Sequence, residues 1–233
     1  MDKTQQDELK KQAAIKAAQL VENDSVLGVG TGSTVAFFID ALGKRKETEG
    51  LKLKHIVTTS NRSKKQLEGL GFKVDKLADV DHVDLTIDGA DRVDPDLNGI
   101  KGGGGALTLE KNVADNSDKV IWIVDESKLV DRLGDFPLPV EVLPVSAEQN
   151  FRRFKKEGLE PRFRLAEDGS RYQTHYGNYI IDLGIDPLPV ISGLADYLDH
   201  TVGVVEHGLF LNMCKEVIIA HADGKIEDRK VNR

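Results

Sequence analysis

Residues 25–34 read SVLGVGTGST, and this stretch decides the fold class. Its first part, SVLGVG, is an apolar run of the length of one buried strand. The glycines and hydroxyl residues that follow lead into a helical pattern that begins near Val35. We therefore predict a strand that passes directly into a helix, with polar groups collected at the junction.

Three further apolar runs of strand length follow, separated by stretches long enough for helices. They are LKHIV at 53–57, VDLTI at 83–87 and VIWIV at 120–124. A helical pattern over residues 4–22 precedes the first strand, and EVIIAHADG near the C-terminus predicts one more strand of the same sheet. This alternation is typical of a parallel sheet covered by helices on both faces. The expected fold class is α/β, with a doubly wound, mostly parallel sheet.

A second, smaller domain is predicted at residues 134–206. From about Phe136 the strand and helix rhythm changes, and an Asp168-Gly169 turn between two strand-like runs indicates a hairpin. Amphipathic patterns at Asn150 to Glu157 and at Gly193 to Asp199 add two helices, which makes this an α+β unit. Residues 1–133 and 207–233 then form the main domain.

Composition excludes several classes of protein. The 233 residues carry a formal net charge of -7 with a pI near 5.4, which argues against binding to nucleic acid or to a membrane surface. The single cysteine, Cys214, rules out an intramolecular disulfide framework and a thiolate metal cluster. Since no signal peptide or membrane span is seen, we expect a cytoplasmic protein.

The polar side chains collect where the predicted strands end. In an open doubly wound sheet, ligands bind outside the carboxyl ends of the strands, so these positions locate a binding site before its ligand is known. The side chains are Thr31, Ser33 and Thr34; Thr58, Thr59 and Ser60; Asp88 and Asp91; and Asp125 and Lys128.

The segment GVGTGST, residues 28–34, predicts an anion pocket, because backbone amides and hydroxyl groups meet at a helix N-terminus. It does not match the dinucleotide fingerprint, which has glycine at the position of Ser33, and it lacks the Walker lysine. A small phosphate monoester fits better than a nucleotide. The alternative is a tight turn in which Ser33 or Thr34 only caps the helix.

The segment IDGADRVD, residues 87–94, places Asp88 and Asp91 around a Gly-Ala turn after a strand. Two carboxylates facing one small volume suit proton transfer or hydroxyl binding. A metal site is the competing interpretation, although no histidine or third acid lies at a helpful spacing. Turn formation by the aspartates alone is a further alternative.

The segment KGGGGALTLE, residues 101–110, places bare backbone between a lysine and a glutamate. Helical spacing puts Glu110 in an apolar stripe with Leu109 and Val113, which is the profile of a general base. Burial would raise its pKa, whereas a lysine and a helix N-terminus would lower it, so the sequence leaves the direction open. A glutamate at the edge of the stripe with a paired or solvated head is the alternative.

Lys101 and Lys128 are candidate cations of the same site. Lys101 is suited to stabilising an oxyanion, and glycines beside it would let a substrate approach the backbone closely. Lys128, at the end of the DESK segment, could hold a substrate oxygen. Either lysine could instead be a solvated surface residue.

Taken together, these segments resemble the ribose-5-phosphate isomerases of the A type. The matching blocks are TGST at 31–34, DGAD at 88–91, KGGGGA at 101–106 followed by Glu110, DESK at 125–128 and VEHGLF at 205–210. They occur in the family's order over nearly the whole chain.

The resemblance implies interconversion of ribose 5-phosphate and ribulose 5-phosphate in the non-oxidative pentose phosphate pathway, EC 5.3.1.6. It implies no metal and no organic cofactor. It also implies a Rossmann-like domain with an inserted ferredoxin-like lid and oligomerisation domain, in a homodimer or homotetramer. The partner is then a small sugar phosphate, with no nucleic acid and no membrane.

The resemblance also assigns roles to individual positions. Glu110 matches the family's proton acceptor, and Asp88 and Lys101 are expected to share in catalysis through a cis-enediolate. One departure is Arg92, where the family usually has an acid; we expect this side chain to point outward. The positions that match substrate contacts are Thr31, Gly32, Ser33, Thr34, Asp88, Gly89, Ala90, Asp91, Lys101, Gly102, Gly103, Gly104 and Lys128.

Two other classes of function remain open at this stage. A coenzyme-A-transferase-like enzyme also combines glycine loops with a glutamate, which there acts as a nucleophile. A non-catalytic sugar-phosphate-binding domain could use the same pocket. Such a regulator is expected to carry a DNA-binding module, for which the segment before the first strand leaves no room.

Overall fold

The computed structural model describes residues 3–184, 188 and 190–231. The chain forms two compact units. Unit 1 consists of Met1–Ala90, Leu109–Leu129 and Asn212–Arg233, and unit 2 consists of Asp91–Thr108 and Val130–Leu211.

Unit 1 contains a six-stranded sheet. Its order is β13-β12-β6-β3-β1-β2, with strands numbered along the whole chain. The five strands other than β13 run parallel, and β13 pairs antiparallel with β12. The predicted α/β class with a mostly parallel sheet is confirmed, as is the C-terminal strand. The strands are β1 (Val26–Val29), β2 (His55–Thr58), β3 (Val83–Asp88), β6 (Ser117–Asp125), β12 (Glu216–Ala220) and β13 (Ile226–Lys230).

Side chains alternate along each strand, so apolar residues face both sides of this sheet, and helices cover both faces. Leu27 and Val29 belong to an apolar cluster that includes residues of the helices α1, α2 and α3. Val26, from the other face of β1, packs in a cluster with Val113 of α4. The helices are α1 (Lys3–Ala18), α2 (Ser33–Glu49), α3 (Asn61–Gly69) and α4 (Leu107–Asp115). The first helix ends earlier than predicted, because the chain turns after Ala18.

The described residues of unit 2 form two antiparallel sheets and the helices α5 and α6. The predicted helices are present as α5 (Ala147–Lys156) and α6 (Ile191–Asp199). The predicted hairpin at Asp168-Gly169 is a tight turn closed by a single bridge between Leu165 and Arg171. The larger sheet has the order β10-β7-β9-β8, from β7 (Leu138–Val142), β8 (Pro161–Phe163), β9 (Tyr179–Leu183) and β10 (Val204–His207). The smaller has the order β11-β5-β4, from β4 (Arg92–Val93), β5 (Gly99–Ile100) and β11 (Leu209–Phe210).

The segment 91–108 lies in unit 2, whereas the sequence analysis assigned it to the main domain. The reason is a long-range strand pairing, in which Ile100 of β5 lies opposite Leu209 of β11. The segment 134–206, predicted as an inserted domain, lies wholly within unit 2. Its role as a lid stays a prediction.

A buried carboxylate lies inside unit 2. Glu141 is 1% exposed, and its Oε1 accepts hydrogen bonds from the Thr174 hydroxyl at 2.7 Å and from the Asn178 amide at 2.8 Å. The Thr108 hydroxyl donates to Oε2 of the same carboxylate. Buried charges are tolerated when donors surround them in this way, and removal of a donor is then costly.

None of the helices in the described part of the chain is long and apolar enough to span a membrane.

We predict that Thr174→Val lowers the free energy of unfolding by about 1.5–3 kcal/mol, because valine keeps the shape of threonine but cannot donate to the Glu141 carboxylate. Urea denaturation followed by circular dichroism measures the change. Thr174→Ser keeps the hydroxyl and serves as the control, with a smaller loss expected. A valine variant as stable as the wild type would show that this hydrogen bond contributes nothing.

Candidate active site

The carboxyl ends of the five parallel strands of unit 1 lie at one edge of the sheet, as predicted. Val29, the last residue of β1, pairs with Thr58 of β2 and with Ile87 of β3. The hydroxyl groups of Thr31 and Thr59 lie 2.7 Å apart just beyond these strand ends. The loops that follow β1 and β2 therefore meet through their side chains.

Asp88 connects the end of β3 to the loop that follows β1. Its carboxylate is buried, with 2% of the residue exposed, and its Oδ1 accepts hydrogen bonds from the Thr31 amide at 3.0 Å and from the Gly89 amide at 2.7 Å. A Cβ atom on Gly30 would lie 1.8 Å from this oxygen, so only glycine fits at that position. Hydrogen bonds to Asp88 thus hold the end of β3 and the loop after β1 together.

The loop then opens into the N-terminus of α2. Gly32 is the N-cap residue, with φ 128°, and no side chain caps the helix. The alternative in which Ser33 or Thr34 only caps the helix is therefore wrong. Ser33 and Gly32 are exposed, so the first amides of α2 can receive an anion, as amides at a helix N-terminus do.

Glu110 lies in the first turn of α4 and is 5% exposed. Val113 and Ala114 are buried on the same helix, whereas Asn112 and Asp115 are exposed. The predicted apolar stripe is confirmed. A carboxylate in such a stripe is shielded from bulk water, which is the setting of many general bases.

The DESK segment forms a short 3-10 turn after β6. Asp125 is buried and accepts a hydrogen bond from the Ser127 amide at 3.0 Å, so it caps the turn that holds Lys128. Lys128 is half-buried. The aspartate is structural here, and the lysine is the residue of this segment that remains suited to a ligand.

Lys101 belongs to unit 2 and is not a surface lysine, since only 3% of it is exposed. Its backbone amide donates to the Gly208 carbonyl at 2.9 Å, which ties it to the segment before β11. Its ammonium lies 5.4 Å from the centre of the Phe210 ring. Both contacts fix the position of this cation.

Asp91 and the glycine loop, defined as Gly102–Gly105, are joined within unit 2. The Gly103 amide donates to Asp91 Oδ2 at 2.8 Å. A Cβ atom on Gly103 would lie 2.8 Å from Asp91 Oδ1, whereas one on Gly104 would meet nothing within 4 Å. Glycine at position 103 thus permits a close approach of backbone and carboxylate.

Arg92, the departure from the family pattern, is directed to Asp135 and not to the Asp91 carboxylate. Its Nε lies 2.8 Å from both carboxylate oxygens of Asp135, and its Nη1 donates to the Asp91 backbone carbonyl at 2.7 Å. Asp135 offsets the added positive charge.

Comparison with known proteins identifies the family. The family model for ribose 5-phosphate isomerase A (phosphoriboisomerase A) matches residues 55–224. The ribose-5-phosphate isomerase A of Lactobacillus johnsonii is 79% identical over 230 residues, which is 99% of each chain. The chain belongs to the ribose 5-phosphate isomerase A family.

Two solved structures of the same family share the fold. Ribose 5-phosphate isomerase A from Neisseria gonorrhoeae is 38% identical, with 98% of both chains covered and a TM-score of 0.90. A D-ribose-5-phosphate isomerase in complex with phospho-erythronic acid is 34% identical, covering 96% of this chain and 98% of that one, with a TM-score of 0.91.

Family membership confirms the predicted activity. The chain is an isomerase that interconverts ribose 5-phosphate and ribulose 5-phosphate in the pentose phosphate pathway, EC 5.3.1.6. The transferase and the non-catalytic binding domain are thereby set aside.

Two groups of side chains in the described residues have the spacing of metal ligands, and neither includes a predicted site residue of this isomerase. They are His82, Asp84 and Asp118, and Asp199, Glu206 and His207. In the second group both ring nitrogens of His207 already have partners, the Leu209 amide at 3.2 Å and Asp199 Oδ1 at 3.1 Å.

Ser63, which no sequence motif singled out, supports the loop of the isomerase after β1. Ser63 lies on α3, and its hydroxyl donates to the Gly30 carbonyl at 2.7 Å. Ser63 lies in the first turn of α3, which Ser60 caps, and serines are common at the start of a helix. The local sequence therefore does not show that Ser63 contacts another loop.

We predict that Gly103→Val raises KM for ribose 5-phosphate about tenfold or more, because the valine side chain would displace the Asp91 carboxylate and break a hydrogen bond to a charged group. Steady-state kinetics measures the effect. Gly104→Ala is the control for folding: its side chain enters open space, so its melting temperature should match that of the wild type. Unchanged KM and turnover in Gly103→Val would refute this reading of the glycine loop.

Proposed function

We propose that the isomerisation proceeds through a cis-enediolate, with Glu110 as the single base that moves a proton between C2 and C1. The observation that carries this proposal is the burial of the Glu110 carboxylate in the first turn of α4. A buried carboxylate cannot exchange protons rapidly with bulk water, so a proton taken from one carbon can be returned to its neighbour.

The steps conserve atoms and charge. Glu110 takes the proton from C2 of the open-chain aldose, the C2–H electron pair forms the C1=C2 double bond, and the aldehyde oxygen becomes the enediolate oxygen. The enediolate oxygen gains the proton of the C2 hydroxyl, C2 becomes a carbonyl, and Glu110 returns its proton to C1. The product is ribulose 5-phosphate.

Lys101 is proposed to stabilise the enediolate. Its burial and its fixed backbone support this role, because a preorganised charge needs no reorientation as the negative charge develops. The loss of one such donor typically lowers turnover by about 10²–10³.

Asp88 and Asp91 are proposed to bind the hydroxyl groups of the sugar and to assist their proton transfers. Asp88, held by two backbone amides, would assist ring opening and hydroxyl proton transfer. Asp91, held by the Gly103 amide, would orient hydroxyls together with the glycine loop. The remaining proposed substrate contacts of these segments are Gly89, Ala90, Gly102, Gly103 and Gly104.

The phosphate is proposed to bind at the start of α2, at Thr31, Gly32, Ser33 and Thr34, with Lys128 assisting. The uncapped helix N-terminus supports this placement. The phospho-erythronic acid in the related structure is a phosphorylated sugar acid, whose carboxylate is planar and negative as an enediolate is. The same molecule should therefore inhibit this chain competitively.

We further propose a cytoplasmic homodimer or homotetramer in which segment 134–206 acts as lid and contact region. Among the exposed apolar side chains of this segment, four lie near the paired strands β7 and β10, and grouped exposed apolar side chains mark contact surfaces. Light scattering should therefore give two or four times 25.6 kDa, and the monomer mass would contradict the proposal. The four are Leu143, Val145, Val202 and Val205.

We predict that Glu110→Gln lowers kcat by about 10²–10⁴, because glutamine keeps the size of the side chain but cannot accept the C2 proton. A coupled assay of ribulose 5-phosphate formation measures it. Asp115→Asn, on the exposed face of the same helix, is the matched control and should retain wild-type turnover. Near-normal turnover in Glu110→Gln would eliminate this glutamate as the base.

We also predict that excess chelator leaves the rate of ribose 5-phosphate conversion unchanged, because a carboxylate and an ammonium suffice for the proposed steps. The rate is measured after dialysis against chelator and again after addition of divalent cations. Activity that is lost in chelator and restored by a cation would require a metal in the mechanism.

A further inference from the structure

Arg164 contacts the glycine loop through its guanidinium group. Its Nη1 donates to the Gly102 carbonyl at 2.8 Å and to the Gly103 carbonyl at 3.1 Å. Arg164 lies just beyond β8, more than 60 residues from the loop, and only 17% of its side chain is exposed. The contact is thus a partly buried tertiary interaction.

Asp182 holds the guanidinium in place. Arg164 Nε donates to Asp182 Oδ2 at 3.0 Å and Nη2 donates to Oδ1 at 2.5 Å. Two parallel hydrogen bonds of this kind fix the plane of the guanidinium as well as its position. The Arg164 backbone is also fixed, since its amide donates to the Ile180 carbonyl of β9 at 2.9 Å.

The contacts set the orientation of two peptide planes. The Gly102 carbonyl shares a peptide unit with the Gly103 amide, and the Gly103 carbonyl shares one with the Gly104 amide. In a trans peptide the carbonyl and the N–H point in opposite directions. With both carbonyls facing Arg164, both N–H groups point away from it, and the Gly103 N–H indeed donates to Asp91 at 2.8 Å.

Glycine peptides need such a support more than others. Without side chains they have access to a wide range of φ and ψ, and Gly102 has φ 99°. A loop that binds hydroxyls through its backbone must nevertheless present its amides in one orientation. Tyr172, whose hydroxyl lies 3.5 Å from the Gly104 carbonyl, gives only a weak additional contact.

We infer that Arg164, oriented by Asp182, is a positioning residue that holds the peptide planes of the glycine loop in the orientation that binds the sugar hydroxyls. The inference rests on the proposed function only in assigning the glycine loop to substrate binding. A purely structural ion pair would affect stability alone, whereas a positioning residue affects KM.

The test compares Arg164→Met with Arg162→Met. Methionine keeps an apolar stem but removes the donors to both carbonyls, so KM for ribose 5-phosphate should rise about 10- to 100-fold, with a smaller change in kcat. Arg164→Lys keeps a positively charged hydrogen-bond donor but lacks the planar guanidinium group, so its KM should lie between those of wild type and Arg164→Met. Arg162, exposed on β8, is the matched control, and its variant should keep the wild-type KM.

The outcomes separate this inference from the proposed function. A wild-type chain that fails to isomerise ribose 5-phosphate contradicts the proposed function. An active wild type with an unchanged KM in Arg164→Met overturns the inference, even if the melting temperature falls. If circular dichroism shows that Arg164→Met is unfolded, Asp182→Asn is used to test the inference, because it keeps the arginine but weakens the ion pair that orients it. A raised KM in Asp182→Asn supports the inference, and an unchanged KM overturns it.

Discussion

The carboxylate of Asp88 is the constraint on which the loops at the carboxyl ends of the unit 1 strands depend. It is buried at the end of β3 and accepts amides from its own turn and from the loop after β1. Because β1 and β3 are neighbours in the sheet, one side chain fixes both strand ends. Without it, the loop that leads into α2 would lose the contact that sets its path.

The proposed site depends on exposed backbone as much as on side chains. Gly30 is required because Asp88 fills the space of a Cβ atom, and a Cβ atom on Gly103 would also come too close to the Asp91 carboxylate. In both places a carboxylate accepts a hydrogen bond from a loop amide, so the acids proposed to bind the substrate also shape the loops. The glycines are conformationally costly, and these hydrogen bonds offset that cost by holding them.

Local patterns in the sequence predicted most of the fold and part of the candidate site. The continuous apolar run VIWIV and the helical stripe around Glu110 are local signals, and both elements formed where these signals placed them. Burial of Lys101 could not be read from its neighbours, because it depends on contacts with Gly208 and Phe210 far along the chain. The same holds for segment 91–108, which pairs with β11, and for Arg164, whose partner Gly102 lies 62 residues away in the sequence.

The most direct test of the central claim is the fate of hydrogen at the two reacting carbons. Ribose 5-phosphate is kept with the enzyme in D₂O at equilibrium through many reversals, and deuterium at C1 of ribulose 5-phosphate and at C2 of ribose 5-phosphate is measured by NMR. Proton transfer by a carboxylate base predicts deuterium at both positions, because the protonated base exchanges with solvent in a fraction of turnovers. Products that keep their original hydrogen at both carbons would contradict the enediolate mechanism and indicate a hydride shift.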